Sequence, residues 1–243
     1  DAPVSRSHAE RGTRNTEQLM RIAFVGNGKM SRAIASLAVA RGHVVTTVIE
    51  SKENAGGAAL TAERLSRVDL VFEFTRPEAA AENLLRLARL GQRVVTGTTG
   101  WSARLPEVTR MVREHGGALL HSPNFSPGVQ LFLRSARDLA KRFRGRSGFD
   151  AFVTESHHAA KRDAPSGTAI ALQDALRQGD PGREFPVTSV RGGFAPGTHT
   201  VVYDAPFETI RLEHEARSRQ VFAAGALLAG EWLEGRTGVF TFE

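Results

Sequence analysis

The sequence predicts an α/β protein: an N-terminal open parallel sheet wound with helices, followed by a smaller α+β domain with an open mixed sheet. Three observations carry this. Between residues 21 and 121, short β-branched runs alternate with stretches of helical periodicity, the pattern of βαβ units. The first of these runs ends in a glycine turn that opens a helix. After Gly128 the order changes to a helix, a strand, a helix and then three strand candidates in succession, which points to a second, mixed or antiparallel sheet.

Composition bounds the function. The chain of 243 residues is 41% hydrophobic, enough to bury the core of one large domain or two small ones. Cysteine is absent, which excludes disulfides, thiolate metal sites and a cysteine nucleophile, including the thiohemiacetal chemistry of some aldehyde dehydrogenases. No apolar run approaches the ~18 residues of a membrane span. The net charge is +6, but the basic residues are spread widely, and the densest cluster, Lys141-Arg-Phe-Arg-Gly-Arg146, reads as a solvated face rather than a nucleic-acid site. Such a charge suits an enzyme that handles a phosphorylated cofactor and an acidic substrate. Residues 1–19 are polar and aperiodic, without the apolar core of a secretory signal, and are expected to be a disordered tail or extension.

Arg21-Ile-Ala-Phe-Val-Gly26 reads as a buried strand ending in glycine. Asn27, Gly28 and Lys29 form the turn, and Met30, Ile34, Leu37 and Ala38 recur at helical spacing. Strand, glycine turn and helix together make a dinucleotide-binding signal, because the helix N-terminus can hold a pyrophosphate. Only two glycines are present, in a G-x-G-x-M pattern, so a plain glycine-capped βα turn is the competing reading. The next run, His43-Val-Val-Thr-Thr-Val-Ile-Glu50, ends in an acid about twenty residues on, where a Rossmann second strand places the carboxylate that accepts from the adenosine ribose. Lys52 stands ready to pair with a 2′-phosphate, so NADH and NADPH both remain open.

Three more strands follow: Asp69-Leu-Val-Phe-Glu-Phe74, Arg93-Val-Val-Thr96 and Ala118-Leu-Leu-His121. Helices are expected from Pro77 to Leu90 and from beyond Gly100 to about His115. The loops at Phe74-Thr75, Gly97-Thr98-Thr99 and Ser122-Pro123-Asn124-Phe125 fall at carboxyl ends of strands, where a doubly wound sheet keeps its ligand crevice. Each is also ordinary turn chemistry, and their recurrence on one edge favours a cofactor site. Further on, helices are expected over 129–142, 166–177 and 218–234, and strands at Phe149-Asp-Ala-Phe-Val-Thr154, 187–190, 198–203, 208–214 and Gly238-Val-Phe-Thr-Phe-Glu243.

The chemistry concentrates in Glu155-Ser-His-His-Ala-Ala-Lys-Arg-Asp-Ala-Pro-Ser-Gly-Thr168. A zinc reading fails on spacing: there is no H-E-x-x-H and no third ligand of obvious type nearby. A serine nucleophile is also disfavoured, since Ser166 lacks a G-x-S-x-G elbow. His157 and Lys161 can donate protons. A helix starting near Ser166 aims the Gly167 and Thr168 amides, with the Thr168 hydroxyl, at a carboxylate. Beside a nicotinamide domain, this composite suits hydride delivery to an unsaturated acid and protonation of the resulting anion.

That segment resembles the signature of the dihydrodipicolinate reductase (4-hydroxy-tetrahydrodipicolinate reductase) family. The resemblance runs through Gly26–Met30, Glu50, Phe74-Thr-Arg-Pro77, Gly97-Thr-Thr-Gly100, Pro123-Asn-Phe-Ser126, Arg191-Gly-Gly193, Gly197-Thr-His199, His214, Arg219 and Phe222-Ala-Ala-Gly-Ala226, essentially everything from Met20 onward. It implies reduction of 4-hydroxy-tetrahydrodipicolinate, with loss of water, to tetrahydrodipicolinate on the diaminopimelate route to lysine, using NADPH or NADH. It implies His157 as proton donor and acceptor, Lys161 as second donor, and His158, Gly167 and Thr168 as binders of the dicarboxylate substrate. The cofactor would be held by Gly26, Asn27, Gly28, Lys29, Met30, Glu50, Phe74, Gly97, Thr98, Thr99, Ser122, Pro123, Asn124 and Phe125. The resemblance further implies a Rossmann domain over 20–125, to which 218–243 returns, a substrate and oligomerisation domain over 126–217, a homotetramer and a cytoplasmic location. Two departures stand out: the glycine loop is one residue shorter than the commonest family form, with Ser31 where glycine is usual, and the 180–191 region is short. The rivals are another Rossmann reductase or amino-acid dehydrogenase acting on a small dicarboxylate, a nucleotide-sensing regulator without turnover, and a basic nucleic-acid module.

Overall fold

The computed structural model describes residues 19–242, so nearly all of the expected tail lies outside the described residues. The first part of the chain runs β1 (Arg21–Val25), α1 (Lys29–Ala40), β2 (Val44–Ile49), α2 (Ala62–Leu65), β3 (Leu70–Glu73), α3 (Pro77–Arg89), β4 (Arg93–Thr96), α4 (Leu105–Glu114) and β5 (Ala118–His121). The second part adds α5 (Pro127–Phe143), β6 (Asp150–His157), α6 (Gly167–Gly179), β7 (Val187–Arg191), β8 (Thr198–Ala205), β9 (Glu208–Glu215), α7 (Gln220–Leu233) and β10 (Gly238–Thr241).

Six strands form one sheet in the order β10-β5-β4-β3-β1-β2, and every neighbouring pair is parallel. Strands covered by helices on both faces read as continuous apolar runs. That is why β1, β3, β4 and β5 are buried almost throughout, whereas β2, at the edge, leaves Val44 and Val48 exposed. On one face α3 and α4 bring Leu84, Leu87 and Val108 to the sheet. On the other, α1 and α7 seat Ile34, Ala226 and Leu227 over Phe24 and Phe72, whose ring centroids are 5.3 Å apart. Each of these two phenylalanines is wholly buried and contributes on the order of 2–3 kcal/mol.

The second sheet, β7-β6-β8-β9, is mixed, as the sequence suggested: β6 runs parallel to β7 and antiparallel to β8, and β8 pairs with β9 as a hairpin. α5 and α6 cover one of its faces with Phe132, Phe143, Leu172 and Leu176 over Val153 and Tyr203. The last two elements, α7 and β10, go back to the first sheet, where β10 pairs with β5.

Several boundaries differ from the sequence expectation for local reasons. α5 starts at Pro127 rather than 129, because the Ser126 hydroxyl accepts the Val129 amide at 3.2 Å and proline fits the first helical position. α6 continues to Gly179 rather than 177, and α7 is shorter at both ends than 218–234. The helical turn Ala55–Gly57 and α2 were not anticipated, since so short a stretch carries no readable period.

β2 and β3 lie on opposite sides of β1, so the chain reverses its winding there. The crevice of a doubly wound sheet opens at the carboxyl ends of the strands at that reversal. The end of β6 and the start of α6 face this edge across a cleft.

Candidate active site

The sheet side of the cleft is built by backbone turns. Gly26 follows β1 with φ +95°, a left-handed conformation, and a Cβ there would overlap the Phe74 carbonyl oxygen; only glycine lets the two strand ends approach this closely. Gly28 caps α1 in an extended conformation without a side-chain cap bond, no acid stands in the first turn, and a Cβ on Gly28 would meet no heavy atom within 4 Å. The α1 N-terminus is therefore open to an approaching anion. Asn27 and Lys29 are exposed on the same turn. Glu50, just past β2, accepts from Asn27 Nδ2 at 3.0 Å and pairs with Lys52 at 3.0 Å. The Asn27 and Lys52 contacts draw its carboxyl below the usual range. These features fit a dinucleotide, with pyrophosphate at α1 and ribose near Glu50.

Met30, Phe74, Gly97, Pro123, Asn124 and Phe125 line the cleft of about 650 Å³ between the two parts of the chain. The remaining candidates on this side do structural work on the loops. Thr98 Oγ1 accepts the Thr75 amide at 2.9 Å, and its carbonyl accepts from Trp101 Nε1 at 2.7 Å. Ser122 Oγ donates to the Asn124 carbonyl at 2.7 Å. Thr99 is exposed beside them.

The facing wall carries His157, His158, Lys161, Gly167 and Thr168, so the structure gathers the sequence motif in one place. Along β6 buried positions alternate with half-buried ones, and this period of two sets Ala151, Val153, Glu155 and His157 on its buried face. α6 begins after Ser166, whose hydroxyl accepts the Ala169 amide at 3.2 Å, while the Gly167 and Thr168 amides belong to the first turn that no helical carbonyl can serve. Asn124 Nδ2 donates to Thr168 Oγ1 at 3.3 Å, which ties the loop after β5 to the start of α6. Lys161 Nζ sits 2.8 Å from both oxygens of Asp163, an ion pair the sequence reading did not foresee although Asp163 stands only two residues on.

Behind His157 lies a buried polar cluster. Glu155 is bonded to His157 Nδ1, accepts from Arg191 at 2.6 Å, and accepts the Ser166 amide at 3.3 Å. Burial alone would raise the Glu155 carboxyl; Arg191, Ser189 and His157 outweigh it and hold it at about 2. His157 is drawn down by burial, against the pull of Glu155 upward. His199 on β8 stands edge-on to His157 with ring centroids 5.1 Å apart, and burial, followed by the charge on His157, lowers it to about 4. Donor atoms of Glu155, His157 and His199 lie within 4.8 Å of one another. They come from two strands, so spacing along the chain could not show them. Each already has a protein partner: Arg191 and the Ser166 amide on Glu155, Glu155 on His157, and Ser166 Oγ on His199 Nε2 at 3.0 Å. Arg219 and Phe222, at the start of α7, also line the cleft; their only sequence signal was the family resemblance.

Comparison with known proteins covers both halves. The family described as "Dihydrodipicolinate reductase, N-terminus" matches residues 20–125, and "Dihydrodipicolinate reductase, C-terminus" matches 128–243. A 4-hydroxy-tetrahydrodipicolinate reductase of Christiangramia forsetii is 33% identical over 92% of this chain and 96% of its own. One of Myxococcus xanthus is 38% identical over 83% of this chain and 78% of its own. Among solved structures, dipicolinate-bound dihydrodipicolinate reductase from Paenisporosarcina sp. superposes with a TM-score of 0.74 at 21% identity, covering 92% of this chain and 98% of that one, which shows a shared fold.

Proposed function

The chain belongs to the dihydrodipicolinate reductase family, and we propose that it reduces 4-hydroxy-tetrahydrodipicolinate, with loss of water, to tetrahydrodipicolinate. The observation that carries this reading is one cleft that runs from Met30, in the first turn of α1, to His157, Lys161 and the α6 N-terminus. A reduced nicotinamide supplies the hydride when bound. The chain's own groups do the rest. His157, bonded through Nδ1 to Glu155, is left with Nε2 to deliver a proton to the reacting carbon. Lys161 supplies positive charge and a second proton. His158 and the Gly167 and Thr168 amides hold the substrate's carboxylates, as an open helix terminus does.

Both NADH and NADPH fit the reading: Glu50 suits ribose hydroxyls, and Lys52 beside it suits a 2′-phosphate. We further propose a homotetramer assembled through the second sheet, whose outer strand β9 is largely exposed and whose hairpin carries fully exposed Phe207 beside half-exposed Ile210. A cytoplasmic location follows from dependence on a reduced nicotinamide pool. The decisive experiment mixes purified protein, NADH or NADPH and substrate generated in situ, and follows loss of nicotinamide absorbance. Turnover is expected, and the ratio of the two KM values assigns the cofactor; no turnover with either would overturn the assignment. Light scattering should return about four times 26.3 kDa, and a monomer mass would overturn the assembly.

A further inference from the structure

The least expected feature of the cleft wall is a carboxylate in a row of core residues. Glu155 shares the buried face of β6 with Ala151, Val153 and His157, and its side chain is fully buried. An isolated buried carboxylate is costly and takes up a proton to escape its charge. Arg191 removes that pressure. It stands at the end of β7, directly opposite His157 in the parallel register, and its guanidinium spans the Glu155 carboxylate at 2.6 Å and the Asp163 carbonyl at 2.7 Å. The Ser166 amide adds a further donor to Glu155. An ionised carboxylate can only accept, so the ring nitrogen it meets must carry hydrogen. That nitrogen is Nδ1.

We propose that Glu155 and Arg191 are positioning residues for His157: Arg191 keeps the Glu155 carboxylate ionised, and the carboxylate holds the imidazole with hydrogen on Nδ1 and with Nε2 toward the reacting carbon. The inference rests on His157 being the proton donor. It separates the long buried cluster into two tasks, one residue that touches substrate and a pair that sets its tautomer and basicity. The other groups around the imidazole do not compete for Nδ1. His199, on β8, is bonded through Nε2 to Ser166 at the start of α6, and Lys161 is turned to Asp163. His214, on β9, is the register partner of His199 on β8.

The test compares wild type with Glu155→Gln and Arg191→Met, and uses nitrogen NMR of the wild-type histidines. In Glu155→Gln, Arg191 claims the amide oxygen and leaves the amide NH2 facing Nδ1, which forces the opposite tautomer. We expect kcat to fall roughly 10²- to 10⁴-fold, the range a general acid supplies, with substrate KM and NAD(P)H affinity within about threefold of wild type. The donor must be protonated to act, so activity is lost as pH rises through its pKa. Without the carboxylate that pKa drops, and the alkaline limb of kcat/KM should move about one pH unit toward acid. Arg191→Met should reproduce the kcat loss, and Glu155→Asp should restore part of it. A merely structural role for Glu155 would lower Tm without moving the limb. A wild-type kcat and unmoved limb in Glu155→Gln would overturn the inference, and so would an Nε2–H tautomer for neutral His157 in wild type. The NMR result stands even where a variant does not fold. Wild-type protein that shows no turnover would sink the assigned reaction instead, while the tautomer would still decide the Glu155 role.

Discussion

Gly197→Ala is the sharpest perturbation of this site that leaves every functional side chain in place. Gly197 precedes β8 with φ +148°, in the region that favours glycine, and a Cβ built there would sit 2.6 Å from His157 Nε2. Ordinary contact with a Cβ begins near 3.4 Å, so the ring must retreat by about 0.8 Å. It has nowhere to go, because Nδ1 is held from behind by Glu155, itself pinned by Arg191. A displacement of about 1 Å costs on the order of 10²-fold in a positioned reaction, so kcat should fall between about 10- and 10²-fold, or about 1.4–2.7 kcal/mol of barrier. Backbone strain at the substituted position adds roughly 1–3 kcal/mol to the folded state, which for a chain of this size lowers Tm by about 2–12 °C. Steady-state kinetics with saturating substrate and nicotinamide, alongside a thermal melt, measure both. NAD(P)H affinity should stay near wild type, since the new methyl faces the imidazole and not the α1 terminus. A Gly197→Ala protein with wild-type kcat would refute the placement of Nε2 against the 197 backbone, and with it the account of how His157 is aimed.

Three other outcomes follow from the same geometry. His157→Gln should lower kcat by roughly 10²- to 10⁴-fold and leave NAD(P)H affinity nearly intact; a collapse of cofactor binding would give His157 another role. Gly225→Ala should lower Tm by about 2–12 °C, because a Cβ there would overlap the Phe125 carbonyl oxygen and overpacking costs typically ~1–3 kcal/mol; an unchanged melt would mean that α7 sits farther from the Phe125 loop. Acid should weaken the fold through His199, which takes a proton near 6.5 when unfolded and only near 4 when folded. The unfolded state then binds more protons between those values, so the stabilisation is present above 6.5 and lost as pH falls toward 4. Unfolding free energies from urea melts at pH 7.5 and pH 5 should differ by about 2 kcal/mol more in wild type than in His199→Gln, and an equal difference would show that His199 is charged in the folded protein at pH 5.

Much of this molecule could be read from local pattern. β1, the Gly26 turn and α1 form a strand-turn-helix signal contained within about twenty residues, and the structure keeps it nearly residue for residue. The fourteen residues from Glu155 to Thr168 likewise contain a strand end, a loop and a capped helix, and they converge because they are consecutive. β8 and β9 were both expected as strands from their β-rich runs, and the structure pairs them as a hairpin. Where the reading slipped, the cause was also local: Ser126 and Pro127 start α5 early through a cap bond that a search for apolar period does not weigh.

What the local sequence determined, then, is most of the elements and the gathering of His157, His158, Lys161, Gly167 and Thr168 within one short segment, since these depend on interactions within a few residues along the chain. Tertiary structure alone decided how those side chains are tuned. Arg191 reaches Glu155 from 36 residues away through strand register, His199 reaches His157 from the antiparallel neighbour of β6, and Asn124 crosses the cleft to Thr168 over 44 residues. The hydrogen bonds that hold Glu155 at about 2 against its burial, and the burial that lowers His199 to about 4, exist only once the strands and helices have closed around them, because desolvation and hydrogen bonding belong to the packed state and have no trace in spacing.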